Sequence, residues 1–233
     1  MTSLAPKPGL KKQLASAAMR MNRNLLEDPS FERHYSYLTE ERGLTRETLE
    51  EYRLGVADAS DEDYGHLENY ISIPFITPSS RSDWRMNFSD LRFRRGPDMP
   101  DSKPKYRTLP GHEPRMFATT TLANPGSYIV IAEGEICTLT LLQCGIPAVG
   151  ISGVSAWKPY YRNIFAGFEK VIIMADNDEP KEGEKVGVGE KFANEIAKDV
   201  PNPKVILVPE GGDTNGFFTL NGAAELRNLI GVD

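Results

Sequence analysis

Cysteine is scarce: only Cys137 and Cys144 occur in the whole chain. Two thiols cannot build a Cys₄ zinc site, and they argue against a disulfide framework. If both lie on one helix, their Cα atoms stand about 10 Å apart, too far to bridge. Histidine is nearly as rare, with three in all. Long apolar runs are missing too. Nothing approaches the roughly 18 to 20 residues of a membrane span, and the N-terminus lacks the apolar core of a secretory signal. These absences exclude a membrane partner and make the cytoplasm the default location. Internal repeats are also absent.

Basic charge is in short supply overall, since 27 Lys and Arg face 33 Asp and Glu, a net charge of −6. Such a balance argues against a nucleic-acid binder until it is divided along the chain. Residues 1 to 80 carry nine basic and thirteen acidic side chains, residues 81 to 115 carry nine and five, and residues 116 to 233 carry nine and fifteen. Only the middle is basic. A band suited to polyanions is thus separated from an acidic region suited to cations.

At 233 residues and 39% hydrophobic, the chain can bury one large core or two small ones. Leu10, Leu14, Ala18, Met21 and Leu25 recur every three or four positions and predict an amphipathic helix ending near Asp28-Pro29. A second helix is expected over Glu32 to Glu41, closed by Gly43, and a third after Thr45 as N-cap. Short alternating pieces follow at Leu54 to Val56, Tyr70 to Ile76 and Trp84 to Phe93, the pattern of a small antiparallel sheet. Arg92, Arg94, Arg95, Lys103, Lys105, Arg107 and Arg115 come next, interleaved with Phe93 and Tyr106. On a strand, Arg92 and Arg94 share one face while Phe93 takes the other. This run is either a solvated face or a phosphate-tracking groove.

After Pro125-Gly126 strands and helices alternate. Strands are expected at Tyr128 to Ala132, Ile146 to Val149, Val171 to Ala175 and Lys204 to Val208. Helices are expected at Ile136 to Cys144, Trp157 to Phe168, Val188 to Lys198 and within Phe217 to Ile230. That order predicts an α/β domain with a mostly parallel sheet. The glycines Gly183, Gly187 and Gly189 are not a P-loop, because no Gly-Lys-Ser/Thr follows them.

The acids carry the chemistry. Asp176 and Asp178 stand two apart directly after the most apolar strand, where like charges repel unless a cation sits between them. Taken alone, an Asp-x-Asp reads more readily as a solvated turn after a strand than as a metal site. Glu133 follows the first of these strands and Asp213 lies just beyond the last. In a parallel sheet all these ends share one edge, where residues distant in sequence can meet. Oxygen donors with few histidines fit Mg²⁺ or Mn²⁺ and not zinc.

These residues resemble a known family. Glu133-Gly134-Glu135, Asp176-Asn177-Asp178 and Gly212-Asp213-Thr214-Asn215 are similar to the three signature segments of the TOPRIM domain. Within the TOPRIM proteins, the catalytic core of bacterial and phage DnaG-type DNA primases is the best match. Glu133-Gly134-Glu135-Ile136 with Thr138-Leu139-Thr140-Leu141 resembles the first phage motif, and Asp213-Thr214-Asn215 with Leu220-Asn221-Gly222 the last. Upstream, Glu41-Arg42-Gly43-Leu44-Thr45 and Tyr52-Arg53-Leu54-Gly55 resemble the start of the core, and Lys105-Tyr106-Arg107 with Met116-Phe117 its basic template-binding segment. The resemblance spans about residues 32 to 222.

It implies an α+β N-terminal subdomain over residues 1–125 carrying the basic segment, and an α/β TOPRIM metal-binding domain over residues 126–233. It further implies a DNA primase, a nucleotidyltransferase making short RNA primers on single-stranded DNA from ribonucleoside triphosphates, in a bacterial or phage-infected cytoplasm. Glu133, Asp176 and Asp178 would be catalytic, and with Asp213 would hold Mg²⁺ or Mn²⁺. Arg92, Arg94, Arg95, Lys105 and Arg107 would bind nucleic acid or nucleotide. A replicative helicase and a separate template-recognition protein are the candidate protein partners, because the family's zinc ribbon, which helps to select start sites, has no counterpart in this sequence. The chain departs from the pattern at three further places: Cys137 stands where the family usually has Asp, and Asn215 replaces a second acid. A lysine common after the Phe of the basic segment is replaced by Ala118-Thr119. The alternatives are a TOPRIM nuclease, using the same acids to activate water, and a non-catalytic replication or recombination module that retains the fold.

Overall fold

The computed structural model describes residues 8–78, 87–153, 156–180, 182–209 and 212–232. Two compact units divide the chain, Met1–Glu113 and Pro114–Asp233. The sequence places the boundary later, between residues 125 and 126. The difference has a backbone cause: Phe117 and Gly150 exchange two hydrogen bonds, 2.8 and 3.2 Å long, and tie the segment after Pro114 to the second unit. Met116 joins that unit's core beside Ile151 and Phe165.

In the first unit the helix α1 (Pro8–Glu27) buries Leu14, Ala18, Met21 and Leu25, the stripe expected from their spacing. It stops where Asp28 precedes Pro29, which disfavours helical geometry at the residue before it. The short α2 (Glu32–Ser36) continues into a π-helical turn, Tyr37–Glu41. α3 (Arg46–Glu51) starts at Thr45, whose hydroxyl accepts the Thr48 N–H at 3.2 Å. An antiparallel sheet follows, in the order β1 (Gly55–Val56), β2 (Ile71–Ile76), β3 (Phe88–Arg94), β4 (Tyr106–Thr108). Gly55 lets β1 lie against α1, since a Cβ there would fall 2.3 Å from the Met21 carbonyl carbon. β4 lies inside the basic segment and was not expected as a strand. The start of the strand expected from Trp84 lies outside the described residues.

The second unit alternates as expected: β5 (Tyr128–Glu133), α4 (Glu135–Gln143), β6 (Ala148–Ile151), α5 (Arg162–Phe165), β7 (Lys170–Ala175), α6 (Val188–Ala197), β8 (Pro203–Leu207) and α7 (Thr214–Ile230). The sheet runs β6-β5-β7-β8 with every neighbouring pair parallel. β5 and β7 are central and buried on both faces, which is why they read as unbroken apolar runs. Ile129, Ile131, Val171 and Ile173 face one core layer, and Val130, Ala132, Ile172 and Met174 face the other. The long helix expected over Trp157 to Phe168 is only a 3₁₀ turn at Pro159–Tyr161 followed by the single turn of α5. Lys158, the residue before Pro159, is extended (φ −118°, ψ 134°), as the clash with the proline ring favours, which bars a helix running on from Trp157; Trp157 stacks on Phe165 at 5.9 Å between ring centroids. Both cysteines are buried and free. No helix among the described residues is long and apolar enough to cross a membrane.

Candidate functional site

The parallel register brings the strand ends to one edge. Glu133 is the last residue of β5, Asp176 follows β7 directly, and Asp213 caps α7 beyond β8. Alternation then separates them by face. Glu133 has the parity of Ile129 and Ile131, whereas Asp176 has that of Ile172 and Met174, the layer that contains Cys137. Asp176 and Asp213 both lie within electrostatic reach of Cys137. The edge is shared, but Glu133 leaves the sheet on the face opposite Asp176.

Backbone bonds hold the acidic loops. The Asn177 N–H donates to the Gly212 carbonyl at 2.7 Å, linking the Asp-Asn-Asp turn to the approach to α7. Asp213 Oδ1 accepts the Gly216 N–H at 2.7 Å, so one of its oxygens serves as the helix cap. Asp178 Oδ2 accepts the Gly189 N–H at 3.1 Å from the first turn of α6. Gly187 and Gly189, unexplained by the sequence, are the surfaces on which this turn rests. A Cβ would lie 2.1 Å from the Asp178 carbonyl oxygen at Gly187 and 2.4 Å from that of Asp176 at Gly189. Gly134, at φ +88°, makes the sharp exit from Glu133 into α4.

Sequence reasoning assigned no role to Ser152, and named Glu135 only as part of a motif. Glu135 is fully buried, and the Ser152 hydroxyl donates to its Oε1 at 2.8 Å. A serine just past β6 carries no signal in sequence that would have marked it.

Two of the departures from the family pattern, Cys137 and Asn215, are neutral groups in buried places. Asn215 is 1% exposed and donates to the Thr140 hydroxyl at 2.9 Å. A carboxylate there would be buried two residues from Asp213, a costly placement. Burial first, and then Asp213 and Asp176, push the Cys137 thiol well above its usual pKa of 9.0, against hydrogen bonds from the Asn215 and Thr214 backbone. Cys137 therefore stays protonated in the fold. The folded state keeps this proton where the unfolded thiol loses it, so Cys137's contribution to stability falls as pH rises above about 9. Urea midpoints between pH 8 and 10 should drop more steeply in the wild type than in Cys137→Ala. Parallel curves, or rapid alkylation of Cys137 in the native protein, would refute a buried neutral thiol.

The donors suit a hard cation: all are carboxylate oxygens, and Glu133 Oε2 and Asp176 Oδ1 are shielded from solvent. Among the described residues no three His, Cys, Asp or Glu side chains stand together as a ready-made metal cage. Mg²⁺ does not require one, because it keeps several waters and is commonly held by one or two carboxylates plus substrate phosphates.

The first unit carries the basic cluster. Phe93 is fully buried, which leaves Arg92 and Arg94 on the other face of β3. Arg94 donates to the Tyr106 hydroxyl at 2.6 Å and to the Tyr37 hydroxyl at 3.2 Å. The Arg92 guanidinium lies 4.2 Å from the Tyr106 ring centroid, a cation–π contact. Arg42 donates to the Tyr37 hydroxyl at 3.0 Å. Burial pushes the Tyr37 phenol up in pKa, yet Arg94 and Arg42 more than offset this and hold it below its ordinary value. Tyr37, on the π-helical turn, is a member of this cluster that sequence reasoning missed. Lys105 and Arg107 are exposed. Arg95 is engaged with its own loop, holding Asp101 at 2.5 Å and the Lys103 carbonyl at 3.0 Å.

No protein-family model matches the chain. The Gene 57 protein of Mycobacterium phage D29 is 40% identical over 160 residues, which are 69% of this chain and 97% of that protein. The Aquifex aeolicus primase, comprising zinc-binding and RNA polymerase domains, superposes with a TM-score of 0.73 at 19% identity, over 95% of this chain. This chain spans 60% of the Aquifex one. The RNA polymerase domain of Mycobacterium tuberculosis primase DnaG, in complex with a double-stranded DNA oligomer bearing a 6-nucleotide overhang, gives a TM-score of 0.71 at 18% identity, over 97% of this chain and 81% of that one. The chain belongs to the family of the Gene 57 protein of Mycobacterium phage D29, and its fold, an α+β unit followed by an α/β TOPRIM domain, is that of DnaG-type primase catalytic cores.

Proposed function

We propose that the chain is a primase-type nucleotidyltransferase that joins ribonucleotides into short primers on single-stranded DNA. The observation that carries this reading is the set of acids at three strand ends of one parallel sheet, within a DnaG-core fold. Glu133, Asp176, Asp178 and Asp213 would hold Mg²⁺ or Mn²⁺. When bound, the cation lowers the pKa of the attacking 3′-hydroxyl and neutralises charge at the α-phosphate. The chain's own part is to keep the carboxylates in place through Gly189, Gly216 and the Asn177–Gly212 bond. Templated incorporation of ribonucleotides on single-stranded DNA tests the proposal. Short RNA complementary to the template is the expected product. Strand cleavage with the same metal would favour the nuclease, and neither activity would favour a non-catalytic module.

Arg92, Arg94, Lys105 and Arg107 would hold the template, a role consistent with the DNA-bound tuberculosis relative. Two phenols pre-orient Arg94, so little side-chain freedom remains to be lost on binding a phosphate. Arg94→Ala should therefore weaken single-stranded DNA binding and reduce the salt slope by about one unit, as loss of one phosphate contact does. Arg95→Ala should change the slope less, because Asp101 already occupies that guanidinium. Equal slopes in wild type and Arg94→Ala would place the contact elsewhere. A replicative helicase and a separate template-recognition protein remain the proposed protein partners.

A further inference from the structure

One π-helical turn, Tyr37–Glu41, interrupts the helical run that begins at Glu32. Its hydrogen bond is wider than that of an α-helix, because the Arg42 N–H donates to the Tyr37 carbonyl five residues back, at 3.0 Å. Successive residues of an α-helix are about 100° apart, so positions 37 and 42 would there point about 140° away from each other. The wider turn brings residue 42 back over residue 37. Arg42 Nε donates to the Tyr37 hydroxyl at 3.0 Å, and its guanidinium carbon lies 5.2 Å from the Tyr37 ring centroid. The same hydroxyl accepts a second guanidinium N–H, from Arg94 of β3, at 3.2 Å. Two arginines far apart in sequence thus rest on one phenol oxygen. Tyr37 is 8% exposed and Leu38 beside it is fully buried, so this oxygen is a fixed point of the fold. Arg94 is held from its other side by the Tyr106 hydroxyl at 2.6 Å, and the Tyr106 ring carries Arg92 at 4.2 Å. Arginine and tyrosine alternate along the cluster in the order Arg42, Tyr37, Arg94, Tyr106, Arg92.

We propose that Tyr37 is a positioning residue for nucleic-acid phosphate, and that the π-helical turn serves this role by seating Arg42 and Arg94 on the same hydroxyl. An arginine that is free in solvent loses rotamer freedom when it grips a phosphate, and that loss weakens binding. Seated arginines have lost it already. A shared acceptor also keeps two like charges side by side, which favours an anionic ligand whose oxygens can take N–H donors from both. A backbone phosphate is such a ligand. The inference rests on the reading of this cluster as the template contact, and adds to it the residue and the backbone feature that hold the contact ready.

The test is calorimetric titration of the full chain with oligothymidylate, for wild type, Tyr37→Phe, Arg94→Ala, the Tyr37→Phe/Arg94→Ala double variant, and Tyr37→Phe in an Arg42→Ala/Arg94→Ala background. Tyr37→Phe should weaken binding by about fivefold, the effect of freeing rotamer-rich side chains, while the salt slope stays unchanged because every positive charge remains. Its stoichiometry should equal that of wild type, which a loss of folded protein would lower. The same substitution should cost less once Arg94 is alanine, and nothing once Arg42 is alanine as well. A pH profile gives a second readout. Burial raises the Tyr37 phenol's pKa, but Arg94 and Arg42, the charged groups that face it, hold it below its ordinary value. Ionisation would cancel positive charge at the contact, so wild-type affinity should fall between about pH 8 and 10 by more than that of Tyr37→Phe. Tyr106 titrates across Arg94 in both proteins, so the difference between the two curves belongs to Tyr37. If Arg94→Ala weakens binding and Tyr37→Phe does not, this inference fails and the template reading stands. If neither substitution changes binding, both fail. A Tyr37→Phe loss that persists undiminished without Arg42 and Arg94 would show that Tyr37 does not act through them, and overturns the proposal.

Discussion

Asp178→Asn should reduce templated synthesis by about 10²- to 10³-fold while leaving the metal-free protein as stable as wild type, or slightly more so. The loss expected from weakening a cation's contribution at the reacting phosphate is about 3 to 4 kcal/mol, and each 1.4 kcal/mol is tenfold in rate. Stability should not follow activity, because Asp178 is exposed and its one described hydrogen bond, from the Gly189 N–H, can be accepted equally by an amide oxygen. Removing the charge also relieves repulsion with Asp176. The decisive measurement is the melting temperature with and without Mn²⁺: wild type should gain stability from the ion by mass action, and Asp178→Asn should gain much less. A large drop in the metal-free melting temperature would make Asp178 a structural residue. Full activity in the variant would remove it from the site.

The elements that were legible in the sequence are those whose signal is local. Val171 to Ala175 and Tyr128 to Ala132 read as buried strands because both faces are covered, and α1 read as a helix because its stripe repeats every three or four residues. The strand-end positions of Glu133, Asp176 and Asp213 followed from the strands themselves. What was not legible depends on partners distant in sequence. β4 is three residues long, and its strand character comes from pairing with β3. The domain boundary moved because Phe117 pairs with Gly150, a contact no local pattern announces. The face on which each acid leaves the sheet depends on strand parity, and an error of one residue in a strand end reverses it. Tyr37 joined the basic cluster through a π-helical turn that the spacing of apolar residues does not reveal.

Gly189→Ala should impair both the fold and the acidic edge, although helix propensity alone favours the change. Gly189 lies in the first turn of α6, where replacing glycine by alanine would ordinarily gain up to about 1 kcal/mol. The added Cβ, however, would lie 2.4 Å from the Asp176 carbonyl oxygen, 2.7 Å from its nitrogen and 2.9 Å from its carbonyl carbon. All three are backbone atoms, so no flexible side-chain end can swing away. Either α6 or the Asp-Asn-Asp turn must move, and overpacking of this kind costs about 1 to 3 kcal/mol, which outweighs the propensity gain. The same displacement would disturb the Gly189 N–H that holds Asp178 and the backbone that carries Asp176. A misplacement of about 1 Å at a reacting centre can cost about 10²-fold in rate, so synthesis should fall by more than the fraction of unfolded protein explains. Gly183→Ala supplies the contrast. It has open space around its Cβ but a φ of +82°, so it should lose stability of the order of 1 kcal/mol through backbone strain while retaining activity per folded molecule. Melting curves, Mn²⁺ titrations and synthesis rates on both variants separate the two effects. A Gly189→Ala protein as stable and as active as wild type would mean that the turn does not rest on α6 in this way.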